Sequence, residues 1–210
     1  MKNKGTWNNQ LENKRYEYNL DKNSVVIDLG AYTGNWAKQI ANKFNCTVHS
    51  YEAVERYFSQ IQHKNVIPYK YAITCKTGVD YMHVCDEGSA IEALSEYKKQ
   101  NDTDSHYQAN ILSHSNIPLE AVNTIDINEL LNDYSYVDLL KINIEGGEYD
   151  ILEKMCETKT INKVHNIQIQ FHNFVDNAQS RYDNIVNNLK NTHTCIFDSM
   201  WRWSFWEIKK

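Results

Sequence analysis

The stretch Ser24-Val25-Val26-Ile27-Asp28-Leu29-Gly30-Ala31-Tyr32-Thr33-Gly34-Asn35-Trp36 limits what this chain can fold into more than any other. Val25, Val26 and Ile27 form an unbroken apolar run, the mark of a parallel strand buried on both faces. An acid and two glycines follow, and a helical pattern begins at once, with Trp36, Ile40 and Phe44 spaced to share one face. A strand that passes through glycines directly into a helix implies a ligand site. Gly30 permits a tight turn or a close approach, and Gly34 lets the first helical turn come near the sheet.

Residues 46–52 read as a second strand that ends in Glu52, 24 positions after Asp28. That spacing sets a carboxylate where it can accept both hydroxyls of a ribose, as in the nucleoside-cofactor sites of doubly wound folds. Two cofactor classes compete. A dinucleotide lays its pyrophosphate against bare backbone and calls for three glycines. Here there are two, and Asp28 is read at the mouth with the loop amides facing the ligand. An acid there repels a pyrophosphate and suits the sulfonium and ammonium of S-adenosylmethionine. The methyl donor is therefore the expected cofactor, and a nicotinamide-dependent oxidoreductase is the rival.

At 210 residues one domain is expected, over 1–210. The net charge of -5 argues against an extended nucleic-acid surface. No apolar run approaches the about 20 residues of a membrane span, and the polar start lacks the apolar core of a signal peptide, so a cytoplasmic location is expected. The five cysteines are scattered, without a Cys-x-x-Cys pair, which suggests neither disulfides nor zinc.

Along the chain, Trp7, Leu11 and Tyr18 predict a leading helix over about 6–18. Residues 54–62 read as a helix and 65–73 as a third strand, giving the alternation of a parallel α/β sheet whose ligands gather at the carboxyl ends. Residues 79–85 read as a half-exposed strand. From about 86 to 118 the pattern dissolves into a segment too long for an ordinary connector, of the kind that forms a lid or acceptor-binding element. A strand over 119–125 and a helix over 126–133, capped by Thr124 or Asp126, follow.

The second informative stretch is Asp138-Leu139-Leu140-Lys141-Ile142-Asn143-Ile144-Glu145-Gly146-Gly147-Glu148, a buried strand ending in polar residues and paired glycines. Asn143 and Glu145 share one face while the strand persists, and in the next strand, 164–172, so do Gln170 and His172. A crevice holding all four is expected. At the end of the chain a hairpin is predicted, with Trp201, Trp203 and Phe205 on one face of an edge strand.

These blocks, with Val48-His49-Ser50-Tyr51-Glu52-Ala53, make the chain resemble FkbM-type methyltransferases from about residue 25 to 172. The resemblance implies an S-adenosylmethionine-dependent enzyme with the class I (Rossmann-like) methyltransferase fold, a mainly parallel seven-stranded sheet with its last strand antiparallel. It implies O-methylation of a sugar, glycan or other small-molecule hydroxyl. By position, Asp28, Gly30 and Gly34 would follow the methionine part of the cofactor, Ala31 and Tyr32 would also bind the cofactor, Glu52 would hold the ribose, and Ala53 and Ala72 would flank the adenine. Asn143 and Glu145 would stand near the transferable methyl. The chain departs from the family at Asn143, where an Asp is usual, and at Gln170, where an acid is common. Glu145 and His172 alone are too few for a dedicated magnesium site, so no metal is expected. The departures also leave room for a non-catalytic, methyltransferase-like binding subunit. Methyl transfer needs a base for the acceptor proton, and His172, ordinarily neutral at pH 7, is the first candidate, with Glu145 to orient it or act itself.

Overall fold

The computed structural model describes residues 13–84, 89–91 and 119–210. In chain order its elements are β1 (Val25–Leu29), α1 (Asn35–Phe44), β2 (Thr47–Tyr51), α2 (Glu55–Phe58), β3 (Val66–Tyr69), β4 (Ala72–Thr74), β5 (Gly78–His83), β6 (Ala90–Ile91), β7 (Leu119–Asp126), α3 (Ile127–Asn132), β8 (Val137–Ile142), α4 (Glu148–Glu157), a 3-10 turn (Thr160–Lys163), β9 (Val164–Gln170), α5 (Ala178–Thr192), β10 (His193–Asp198) and β11 (Trp203–Ile208).

Seven strands form the main sheet in the order β10-β11-β9-β8-β1-β2-β3. β1 pairs in parallel with both β2 and β8, and β11 runs antiparallel to both its neighbours, β9 and β10. The central strands are apolar on both sides because both faces are covered. Ile27 and Leu29 pack with α3, α4 and α5 through residues such as Leu131, Tyr149 and Ile185, whereas Val26 packs with Trp36, Ala37 and Ile40 of α1. Each fully buried aliphatic side chain of this kind contributes about 1.5–3 kcal/mol. Asp28 shares the face of Val26. Asp126 caps α3, its side chain accepting from the Asn128 amide at 2.8 Å.

Sequence and structure part company in several places. The helix expected over 54–62 is the single turn α2. The strand expected over 65–73 divides at Lys70 and Tyr71: β3 closes the edge of the main sheet, and β4 leaves it to pair with β7. With β5 and β6, these make a second sheet of four strands, order β4-β7-β5-β6, which the sequence pattern did not reveal. The terminal hairpin forms, but β11 is an interior strand, not an edge, so Trp203, Phe205 and Trp206 are all buried. Trp201 precedes the strand in a left-handed turn (φ 65°) and does not join their row. Of the expected leading helix, residues 6–12 lie outside the described residues; helical geometry at Asn13 and Lys14 gives way to a turn, and Tyr18 is not helical. Residues 86–88 and 92–118, most of the expected lid, also lie outside them.

Candidate functional site

A cavity of about 380 Å³ opens at the carboxyl ends of β1, β2 and β8, with the small sheet forming its far wall. Gly30, Tyr32, Glu52, Ala53, Ala72, Asn143 and Glu145 line it, as do Tyr51, Tyr57 and Tyr71 and, from β5, Asp80 and Met82. Gly30 is indispensable to its shape. Its φ is +73°, and a Cβ there would stand 1.9 Å from the carbonyl oxygen of Asn143. Gly34, also left-handed, would drive a Cβ to 2.9 Å from Ile61, so the start of α1 can sit where it does only without a side chain.

The glycine loop turns its amides inward. Gly30 N and Ala31 N donate to the carbonyl of Tyr51 at 3.1 and 3.0 Å, Tyr32 N donates to Glu52 Oε2 at 2.8 Å, and Gly34 N to the carbonyl of Ala31 at 2.8 Å. The expectation that these amides face the ligand is thus corrected: they are already engaged within the chain. A pyrophosphate would find none of these four donors, which removes the structural basis for the nicotinamide alternative.

Glu52 is 8% exposed. Oε2 accepts from Tyr32 N, as above, and Oε1 from Val54 N at 2.9 Å, so each oxygen retains a lone pair for a ligand hydroxyl. Burial pushes its carboxyl up to about 7, against the two amides and the charge of Lys141, which favour the anion. Asn143 also lines the cavity, and its Oδ1 is buried without a hydrogen-bond partner. Such an acceptor is costly unless a ligand donor meets it.

Five residues singled out in the sequence do not line the cavity. Asp28 is 0% exposed and lies on the α1 face of β1, where Lys141 Nζ stands 2.8 Å from Oδ1. The pair is close in distance, although neither carboxylate oxygen accepts an aligned hydrogen bond. Asp28 is therefore not an acid at the mouth, because strand alternation turns it beneath the floor. Ala31 is buried against α1, and Gly34 packs on Ile61. His172 lies one position past Phe171, beyond the end of β9, so the four-residue crevice does not assemble as expected; Gln170 is not a wall residue either.

His172 is held by acids. Its Nδ1 and backbone N donate to Glu148 Oε1 at 3.0 and 2.9 Å, and Nε2 is 3.5 Å from Glu145 Oε1. Glu148, wholly buried, also accepts from Gly146 N at 2.8 Å, and Tyr149 Oη donates to the carbonyl of His172 at 2.7 Å. Burial alone would lower the imidazole, but the charges of Glu145 and Glu148 and their hydrogen bonds overcome it and raise its pKa to about 10. His172 is an imidazolium at neutral pH, so the expectation of a neutral base is corrected. Glu145 sits in the left-handed region (φ 53°) and faces the cavity. Sequence reasoning missed Lys141 and Glu148. A lysine inside the apolar run 137–142 was the available signal, since a charge in a doubly covered strand requires a buried partner.

A seven-stranded, mainly parallel sheet in this strand order is the class I methyltransferase fold. The chain belongs to the family described as the methyltransferase FkbM domain, whose model matches residues 28–194. No curated protein matches its sequence. Among solved structures, it is similar to SMU.1697c, a methyltransferase candidate from Streptococcus mutans in complex with SAH, at 12% identity and TM-score 0.51, covering 95% of this chain and 97% of that one. It is similar also to the fibrillarin/Nop5p complex, at 10% identity and TM-score 0.51, covering 95% of this chain and 78% of that one. At these identities the likeness is one of fold. The cofactor is S-adenosylmethionine, and the cavity fits a molecule rich in donors: Glu52 and Asn143 line it with free acceptor capacity. No described helix is long and apolar enough to cross a membrane.

Proposed function

We propose that this enzyme methylates a hydroxyl of a small-molecule or glycan acceptor. In this reading the ribose hydroxyls of the cofactor donate to Glu52, Ala53 and Ala72 flank its adenine, and its ammonium donates to Asn143 Oδ1. Bound there, S-adenosylmethionine supplies an electrophilic methyl. The chain's own task is to align the acceptor and to take its proton. Glu145 is the group for that proton, because it is the carboxylate on the wall beside Asn143. His172 is a positioning residue: its charge and its contact with Glu148 fix where Glu145 points. The observation that carries the reading is this Glu145–His172–Glu148 arrangement beside a cavity that Glu52 and Asn143 also line.

The wall also holds Asp80 and Asp150 and one lysine, Lys76. With Glu52 and Glu145 the acids outnumber the lysine, which disfavours a phosphate-rich acceptor and favours a polyhydroxylated one.

The test is transfer of labelled methyl from S-adenosylmethionine to a panel of saccharides, small alcohols, amines and RNA. Label on a hydroxyl is expected, and Glu145→Gln should cut turnover by about 10²-fold or more while S-adenosylhomocysteine still binds. Label on RNA alone, or undiminished turnover in Glu145→Gln, would overturn it.

A further inference from the structure

Beneath the cavity floor, on the α1 face, four polar side chains stand side by side across four strands: Ser50, Asp28, Lys141 and Gln168, paired by register. All are buried, and Tyr18 Oη closes one end by donating to Gln168 Oε1 at 2.9 Å. Neither Asp28 nor Lys141 reaches the cavity.

Lys141 has a more specific relation to the site. Its Nζ donates to the carbonyl of Gly30 at 2.7 Å and, more weakly, to that of Leu29 at 3.4 Å, while Asp28 balances its charge at 2.8 Å. Asn143 N donates to the same Leu29 carbonyl at 3.1 Å. At the Gly30 turn the backbone just past β1 presses on the backbone just past β8, against the Asn143 carbonyl. A charged donor on β8 thus grips the last residues of β1 from below, two positions before Asn143.

We propose that Lys141 is a positioning residue for the cofactor, fixing the Gly30 turn and, with it, the spacing between the Gly30 and Asn143 walls. The proposal rests on the cofactor site described above and adds to it a residue that touches no ligand. Asp28 has the subordinate part: it makes a buried ammonium tolerable. A charge-assisted hydrogen bond to a carbonyl holds a turn more firmly than the neutral kind, and a loosened turn must be ordered anew when ligand binds.

Lys141→Met alone would strand Asp28 as an unpaired buried charge, so the informative variant is Asp28→Asn with Lys141→Met, which removes both charges. Ser50→Ala, which removes another buried polar group of the same row and leaves both charges and the grip on Gly30 in place, is the control. S-adenosylhomocysteine affinity is measured by calorimetry, together with thermal midpoint and amide exchange over residues 28–34. The double variant should fold, exchange faster over 28–34 only, and bind at least about tenfold more weakly, with a raised KM for S-adenosylmethionine and little change in kcat. The control should bind within about twofold of the parent. Parent-like binding by the double variant overturns the proposal, as does an equal loss in the control. A double variant that cannot fold overturns it too, by making Lys141 a residue of general stability. A parent that binds no S-adenosylhomocysteine would overturn the cofactor reading itself, a distinct result.

Discussion

Cofactor affinity should fall as the solution is acidified, and Glu52 sets the slope. Its carboxyl titrates near 7 because burial disfavours the anion more than two backbone amides and Lys141 favour it. Ligand hydroxyls need that anion as acceptor, so only the deprotonated protein binds well. One pH unit below the pKa about a tenth of molecules carry the anion, and one unit above about nine-tenths do, so the dissociation constant should rise about tenfold between about pH 8 and pH 6, or about 1.4 kcal/mol. His172 stays protonated throughout this window and contributes no slope. Folding responds in the opposite sense to binding: a carboxyl raised in the folded state stabilises the unliganded protein at low pH and loses that contribution as pH rises from the unfolded value toward 7. Calorimetry with S-adenosylhomocysteine in buffers of different ionisation heat reads both the affinity and a release of about half a proton at pH 7. Glu52→Gln should bind weakly with a flat profile. A parent affinity constant from pH 6 to 8, or a Gln variant with the same slope, would refute the assignment of Glu52 to the ribose.

Gly30→Ala should destabilise the fold by more than the about 1–2 kcal/mol cost of a left-handed alanine, since its Cβ also meets the Asn143 carbonyl, and urea denaturation checks this. Asn143→Leu should leave the unliganded midpoint unchanged or higher, because it removes an unpaired buried acceptor, yet weaken S-adenosylhomocysteine binding at least about tenfold; a thermal-shift titration reads both. His172 is raised in the folded state, so its stabilising effect is full below the ordinary imidazole value and is lost as pH rises through about 10. His172→Gln should therefore flatten the alkaline limb of a stability-versus-pH curve measured by chemical denaturation.

The local grammar of the chain made the core of this fold readable. A buried strand, two glycines and a helix in 13 consecutive residues leave few alternatives, and the Gly30 turn and Glu52 stand where that pattern puts them. What was lost concerns direction and distant pairing. Asp28 follows its strand, but period-two alternation sends its side chain under the sheet, and only knowledge of Lys141 on a strand more than a hundred residues away would have revealed that. The break between β3 and β4 is decided by β7, whose partnership with β4 spans 52 positions from Ala72 to Thr124. Similarly, β11 looks like an edge strand until β9 and β10 are seen to flank it. His172 was placed by extending β9 two residues too far, which misassigned a charged clamp as a free imidazole.

The inward-turned amides of the glycine loop bear on how this enzyme copes with its surroundings. An adenine nucleotide shares the adenosine of the methyl donor, yet its phosphates would meet none of the four amides that Gly30, Ala31, Tyr32 and Gly34 already commit within the chain. Selectivity of this kind is written into the resting backbone before any ligand arrives.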